Sequence, residues 1–73
     1  MEEKITAWIA RDKCGDLFLS IGCIPHKNEL CGAWMIDDVG NSYEEQLERE
    51  SFPNVKWEDK EPTKVELTIK ICE

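Results

Sequence analysis

The sequence is poor in the residue types and patterns on which catalysis and nucleic-acid binding depend. Its four glycines, Gly15, Gly22, Gly32 and Gly40, are scattered singly, so no glycine-rich loop is available to cradle a phosphate. His26 is the only histidine, which leaves one imidazole for proton transfer and no neighbouring segment that orders it. Nine Lys and Arg stand against sixteen Asp and Glu, for a formal net charge of −7. Affinity for a phosphate backbone comes from Lys and Arg displacing counterions, so direct nucleic-acid binding is disfavoured. No apolar run approaches the ~20 residues that a membrane-spanning helix needs. The opening Met1-Glu2-Glu3-Lys4-Ile5 is acidic where a targeting segment is basic. The expectation is a soluble cytoplasmic protein that engages neither membrane nor nucleic acid. Repeats, low-complexity tracts and linkers are lacking too, which implies a single domain over residues 1–73.

What is present is strand patterning. Lys64-Val65-Glu66-Leu67-Thr68-Ile69-Lys70-Ile71 alternates polar and apolar without a fault, placing Val65, Leu67, Ile69 and Ile71 on one face of a strand. Near the other end, Ile5, Ala7 and Ile9 oppose Thr6, Trp8 and Ala10; both sets carry apolar groups, as on a central strand covered on two sides. A polar turn over 11–16 leads into a second strand, with Leu17, Leu19 and Ile21 on one side. Residues 22–33 read as a connecting loop, 33–37 as a short third strand and 38–41 as its closing turn. Ser42-Tyr43-Glu44-Glu45 fits a capping box, and Tyr43, Gln46, Leu47 and Glu50 then share a helical face that must end before Pro53. Val55 and Trp57 share one face of a fourth strand over 54–58, a turn covers 59–63, and the alternating segment is the fifth strand. The predicted architecture is mainly β, bordering on α+β. It is a small antiparallel meander of four to five strands with at most one short helix near residues 43–50, closed by pairing of the first strand with the last.

Charge is unevenly spread. Residues 37–62 hold nine acids against three bases, which accounts for nearly all of the net charge. A solvated face explains this; an acidic patch that docks a basic partner, acting as a decoy for a nucleic-acid-binding protein, is the sharper alternative.

Cys14, Cys23, His26 and Cys31 have the residue types for a Cys3His zinc site, which needs four ligands at about 2.0–2.3 Å. Their spacing is irregular, with Cys23-Ile24-Pro25-His26 as the one knuckle-like gap. Unligated thiols are the simpler reading, and a reducing compartment keeps the four cysteines from pairing. Cys72 continues the polar face of the last strand. A nucleophilic pairing of Cys23 with His26 lacks an oxyanion-hole segment, so no catalytic residue is assigned and no cofactor is expected. In a chain this short, Trp8, Trp34 and Trp57 are expected in the core. Trp8 is the exception to consider, because with Thr6 and Ala10 it forms a semi-apolar patch that would serve as an interaction surface if exposed.

Ala7-Trp8-Ile9-Ala10-Arg11-Asp12, Gly15-Asp16-Leu17-Phe18-Leu19, Phe52-Pro53-Asn54-Val55-Lys56-Trp57-Glu58-Asp59 and Pro62-Thr63-Lys64-Val65-Glu66-Leu67 resemble a family of short, uncharacterised β-rich proteins from gut bacteria of the Bacteroides type and their phages. The resemblance covers both ends and is loose between residues 22 and 50. It implies a small β-rich fold that self-associates, and it does not include the cysteines. The functional expectation is a non-enzymatic module that binds itself, as a homodimer, or another protein. The alternatives are a zinc-stabilised domain on Cys14, Cys23, His26 and Cys31, and the acidic decoy.

Overall fold

A computed structural model describes residues 2–36 and 43–70. It contains six strands: β1 Glu2–Arg11, β2 Leu17–Ile21, β3 His26–Asn28, β4 Ala33–Met35, β5 Tyr43–Leu47 and β6 Thr63–Lys70. Four of them build one antiparallel sheet in the order β5-β2-β1-β6, and β3 pairs with β4 as a separate hairpin. The fold is mainly β, with no helix among the described residues. As the two-sided apolar pattern of β1 requires, this strand is central. It pairs with β2 from Ala7↔Ile21 to Arg11↔Leu17, and with β6 from Glu2↔Lys70 to Ile9↔Thr63. First and last strands therefore close the sheet across the whole sequence.

Both faces of the sheet are used. On one, Ala7, Ile9, Leu17 and Leu19 form a buried cluster with Val55, flanked by Ile21, Leu47, Val65 and Leu67. On the other, Ala10 and Phe18 pack with Trp34 from β4, flanked by Ile36 and Trp57. Among the described residues Ser20 is the one buried polar side chain, and its hydroxyl donates to the Cys23 carbonyl at 2.7 Å, so it closes the turn after β2 without an unmet bond.

Three segments differ from the sequence expectation. Residues 43–47 are strand β5, not helix. A two-turn helix alone is marginal in water, whereas Tyr43, Glu45 and Leu47 align with Ile21, Leu19 and Leu17 and complete the edge of β2. Positions 43 and 47 share a face in either conformation, so their spacing does not discriminate between them. Residues 54–58 are not a strand. Val55 and Trp57 enter different clusters on opposite faces of the sheet, because the chain turns three times there, with Ser51 N–H on Glu48 O at 3.1 Å, Val55 on Phe52 at 3.0 Å and Asp59 on Lys56 at 3.2 Å. The 22–33 loop contains β3, which pairs with β4 from His26↔Met35 to Asn28↔Ala33. Strand order also departs from a simple meander, since β5 and β6 lie on opposite edges and residues 48–62 cross between them. The 38–41 turn, the Ser42 cap, Ile71 and Cys72 lie outside the described residues.

Candidate interaction surface

Arg11 organises the crossing segment. Its Nε donates to the Val55 carbonyl at 2.7 Å, one terminal nitrogen to Gly15 and Arg49 at 2.8 and 2.9 Å, and the other to Ser51 and Phe52 at 2.9 and 3.2 Å. A guanidinium has five N–H donors, and here all five meet main-chain carbonyls. Those carbonyls would otherwise need a ladder partner, so the same side chain explains why 49–55 is not a strand.

The β3–β4 hairpin is held against the β1–β2 turn by a second set of bonds. Lys13 N–H donates to Gly32 O at 2.9 Å, Trp34 N–H to Asp12 Oδ1 at 3.0 Å, and Trp34 Nε1–H to Arg11 O at 2.9 Å. Trp34 meets Trp57 edge to face, 6.4 Å between ring centroids at 80°. The Lys27 ammonium lies 5.3 Å from the Trp34 ring and 4.5 Å from the Trp57 ring, and donates to the Trp57 carbonyl. Two tryptophans are thus core anchors, bridged by a cation the sequence does not single out.

Of the three residues expected to form a patch, Thr6 is exposed, Trp8 is half-buried and Ala10 is 1% exposed beneath Trp34. Ala10 therefore leaves the surface. Trp8 instead lines a shallow depression with Ile24, Glu61, Pro62 and Lys64.

The zinc candidates separate. Cys14 and Cys31 are exposed and line one depression, while Cys23 is half-buried and lies with His26 in the segment that leads into and forms β3. Among the described residues no three His, Cys, Asp or Glu side chains converge as metal ligands would.

Acidic residues gather elsewhere. Asp12, Asp16, Glu44 and Glu45 line a depression of about 230 Å³ floored by Leu17, Phe18 and Trp34. Two of these acids have partners within the chain, Asp12 on the Trp34 N–H and Asp16 with Arg49 at 3.5 Å.

Among the described residues, β6 is the longer of the two edge strands of the four-stranded sheet, and its outer edge has no neighbouring strand. Val65 and Leu67 pack inward, yet Ile69 is 51% exposed, and Phe52, also 51% exposed, joins Ile9, Leu19, Leu47, Val65 and Leu67 around an apolar depression of about 240 Å³. On the wet face, Lys4 on β1 reaches Glu66 at 3.8 Å. No helix among the described residues is long and apolar enough to cross a membrane. No protein-family model, no curated protein and no solved structure matches this chain.

Proposed function

We propose that this protein is a non-enzymatic, self-associating β module of the cytoplasm whose partner is a second copy of the chain, paired antiparallel through β6. The observation that carries this reading is the eight-residue β6 edge, which has β1 on one side and, among the described residues, no strand on the other. An edge of this length presents unpaired N–H and C=O groups that another strand satisfies. Natural edges are protected by bulges, prolines or charges; β6 carries Pro62 just before it and no proline within, and its charges Lys64, Glu66 and Lys70 are of both signs.

Charge selects the copy and the register. A two-fold axis through Val65 sets Lys64 of each copy opposite Glu66 of the other, with Val65 against Val65 on the apolar face. Centring the axis on Glu66 instead would oppose two carboxylates, and on Leu67 would oppose Lys64 with Lys70. The resemblance to short self-associating β-rich proteins points the same way.

Sedimentation equilibrium on the purified chain tests the proposal. The wild type dimerises at concentrations of about 100 µM or below, Glu66→Lys is monomeric there, and the swap Lys64→Glu with Glu66→Lys restores the dimer. A wild-type chain that stays monomeric at about 1 mM ends the proposal, as does a dimer indifferent to Glu66→Lys.

The acidic depression supports a second reading, the docking of a basic partner segment, because four acidic residues line it together with Phe18 and Trp34. An arginine-rich peptide should then quench tryptophan fluorescence in the wild type and not in the Glu44→Lys, Glu45→Lys variant. Equal response in both removes this reading.

A further inference from the structure

We infer that Cys14 and Cys31 are a redox-responsive thiol pair that closes to an intramolecular disulfide. The inference rests on how two turns face each other. Asp12 Oδ1 accepts the Trp34 N–H at 3.0 Å, and one step further Lys13 N–H donates to Gly32 O at 2.9 Å. A Cβ at Gly32 would lie 3.3 Å from the Lys13 Cβ, so the two chains touch at this step. Cys14 follows Lys13 and Cys31 precedes Gly32 in the sequence, so the two cysteines flank this point of contact. Both thiols are free and exposed, and both line the same depression, of about 400 Å³. A disulfide spans ~4.4–6.8 Å between Cα atoms, a reach suited to residues that flank a backbone contact.

The turns that carry them are pinned. Gly15 N–H donates to Asp12 O at 2.9 Å, with Gly15 at φ 103°, where a side chain is disfavoured. On the facing turn, Asn28 Oδ1 accepts the N–H of Leu30 at 3.1 Å and of Cys31 at 3.2 Å, while Gly32 N–H donates to Asn28 O at 3.0 Å. Side chains carried on fixed turns at one depression lose little backbone freedom when they join. Cys23 lies outside this arrangement, with its carbonyl held by Ser20.

The chemistry needs one co-reactant, a low-molecular-weight disulfide. One protein thiolate attacks a sulfur of that disulfide, forming a mixed disulfide and expelling one small thiolate. The second protein thiolate then attacks the protein sulfur of the mixed disulfide and expels the other. Two cysteine thiols are oxidised and one small disulfide is reduced to two thiols. In a reducing compartment the pair stays open, and a rise in the disulfide fraction closes it. Closure ties the β1–β2 turn to the β3–β4 hairpin across a loop of about 17 residues and restricts the unfolded chain. Because neither residue lies on β6, the inference stands apart from the dimer proposal.

The test uses the full chain carrying Cys23→Ser, reduced, desalted and incubated with mixtures of reduced and oxidised glutathione. After acid quench and alkylation, intact mass counts thiols and peptide mapping names the bridge. The expected result is a loss of two hydrogens, a Cys14–Cys31 linked peptide and a Tm that is about 10 °C higher than in the reduced chain. Adding Cys14→Ser, or separately Cys31→Ser, abolishes the link and the Tm rise while leaving the far-ultraviolet spectrum of the reduced chain unchanged. Persistent glutathione adducts at both positions, a bridge to Cys72, or links only between chains would each overturn it.

Discussion

Arg11 Nε and the Val55 carbonyl meet at 2.7 Å across forty-four residues of sequence, and this contact joins the central strand to the one long segment that crosses the sheet. Val55 is thereby delivered to the buried cluster on one face, and two residues later Trp57 reaches the cluster on the other. One guanidinium does what a strand partner would have done for 49–55, and it leaves the chain free to wrap from β5 to β6.

Arg11→Lys keeps the charge and loses the fork. An ammonium on a flexible stem cannot reach five carbonyls spread over two turns. With water replacing part of the loss at this half-buried site, the substitution costs about 2–3 kcal/mol, a Tm fall of roughly 10–20 °C. Amide exchange at Ser51, Val55 and Asp59 should quicken more than in β1. A Tm within about 2 °C of wild type would show that the bonds contribute little.

Lys27 between Trp34 and Trp57 invites a second substitution. Lys27→Met retains the apolar stem while removing two ring contacts and the bond to the Trp57 carbonyl, so a loss of about 1–2 kcal/mol is expected in thermal unfolding. Near-ultraviolet dichroism should weaken together with stability. Unchanged values for both would mean that the ammonium merely rests there.

The sheet is largely legible because its strands obey a period of two, which assigns each side chain to one face or the other. Val65 and Leu67 on β6, Leu17 and Leu19 on β2, and the two-sided β1 all lie where alternation puts them. Residues 43–47 and 54–58 depart from the sequence pattern for two different reasons. Tyr43 and Leu47 are four apart, which satisfies a helical face and a strand face equally, and the choice falls to the open edge of β2. Val55 and Trp57 are two apart and look like a strand, yet Arg11 withdraws the backbone groups that a strand would need. At the surface, Trp8 and Cys14 are visible as candidates, but Ala10 is covered by a residue twenty-four positions away in sequence, and the depression that Cys14 shares with Cys31 depends on a hairpin pairing that no periodicity announces.

Metal removal provides a third check. Among the described residues Cys14 and Cys31 line a depression that neither Cys23 nor His26 lines, an arrangement that gives a four-ligand zinc centre no support. Chelator in excess should leave the Tm within about 1 °C, whereas a structural zinc contributes folding free energy outright and its loss would drop the Tm steeply. A steep drop would require the segment from 14 to 31 to be arranged differently.

Phe52 has φ 50°, in the left-handed region that a bulky aromatic rarely adopts, and its carbonyl accepts from both Arg11 at 3.2 Å and the Val55 N–H at 3.0 Å. Those two bonds hold the residue where sterics resist, at a cost of roughly 1–2 kcal/mol for an L side chain. Removing the half-exposed ring gives up a modest burial term that is equal for Phe52→Ala and Phe52→Gly. The two variants differ in backbone alone. Alanine keeps the left-handed penalty; glycine sheds it but gives the unfolded chain more freedom, worth ~0.5–1 kcal/mol. The Phe52→Gly chain should therefore be the more stable of the two by up to about 1 kcal/mol, the reverse of the usual order for these residues. Paired urea titrations read the difference directly. If Phe52→Ala proves the more stable, the strain at this turn is not what Arg11 and Val55 hold in place.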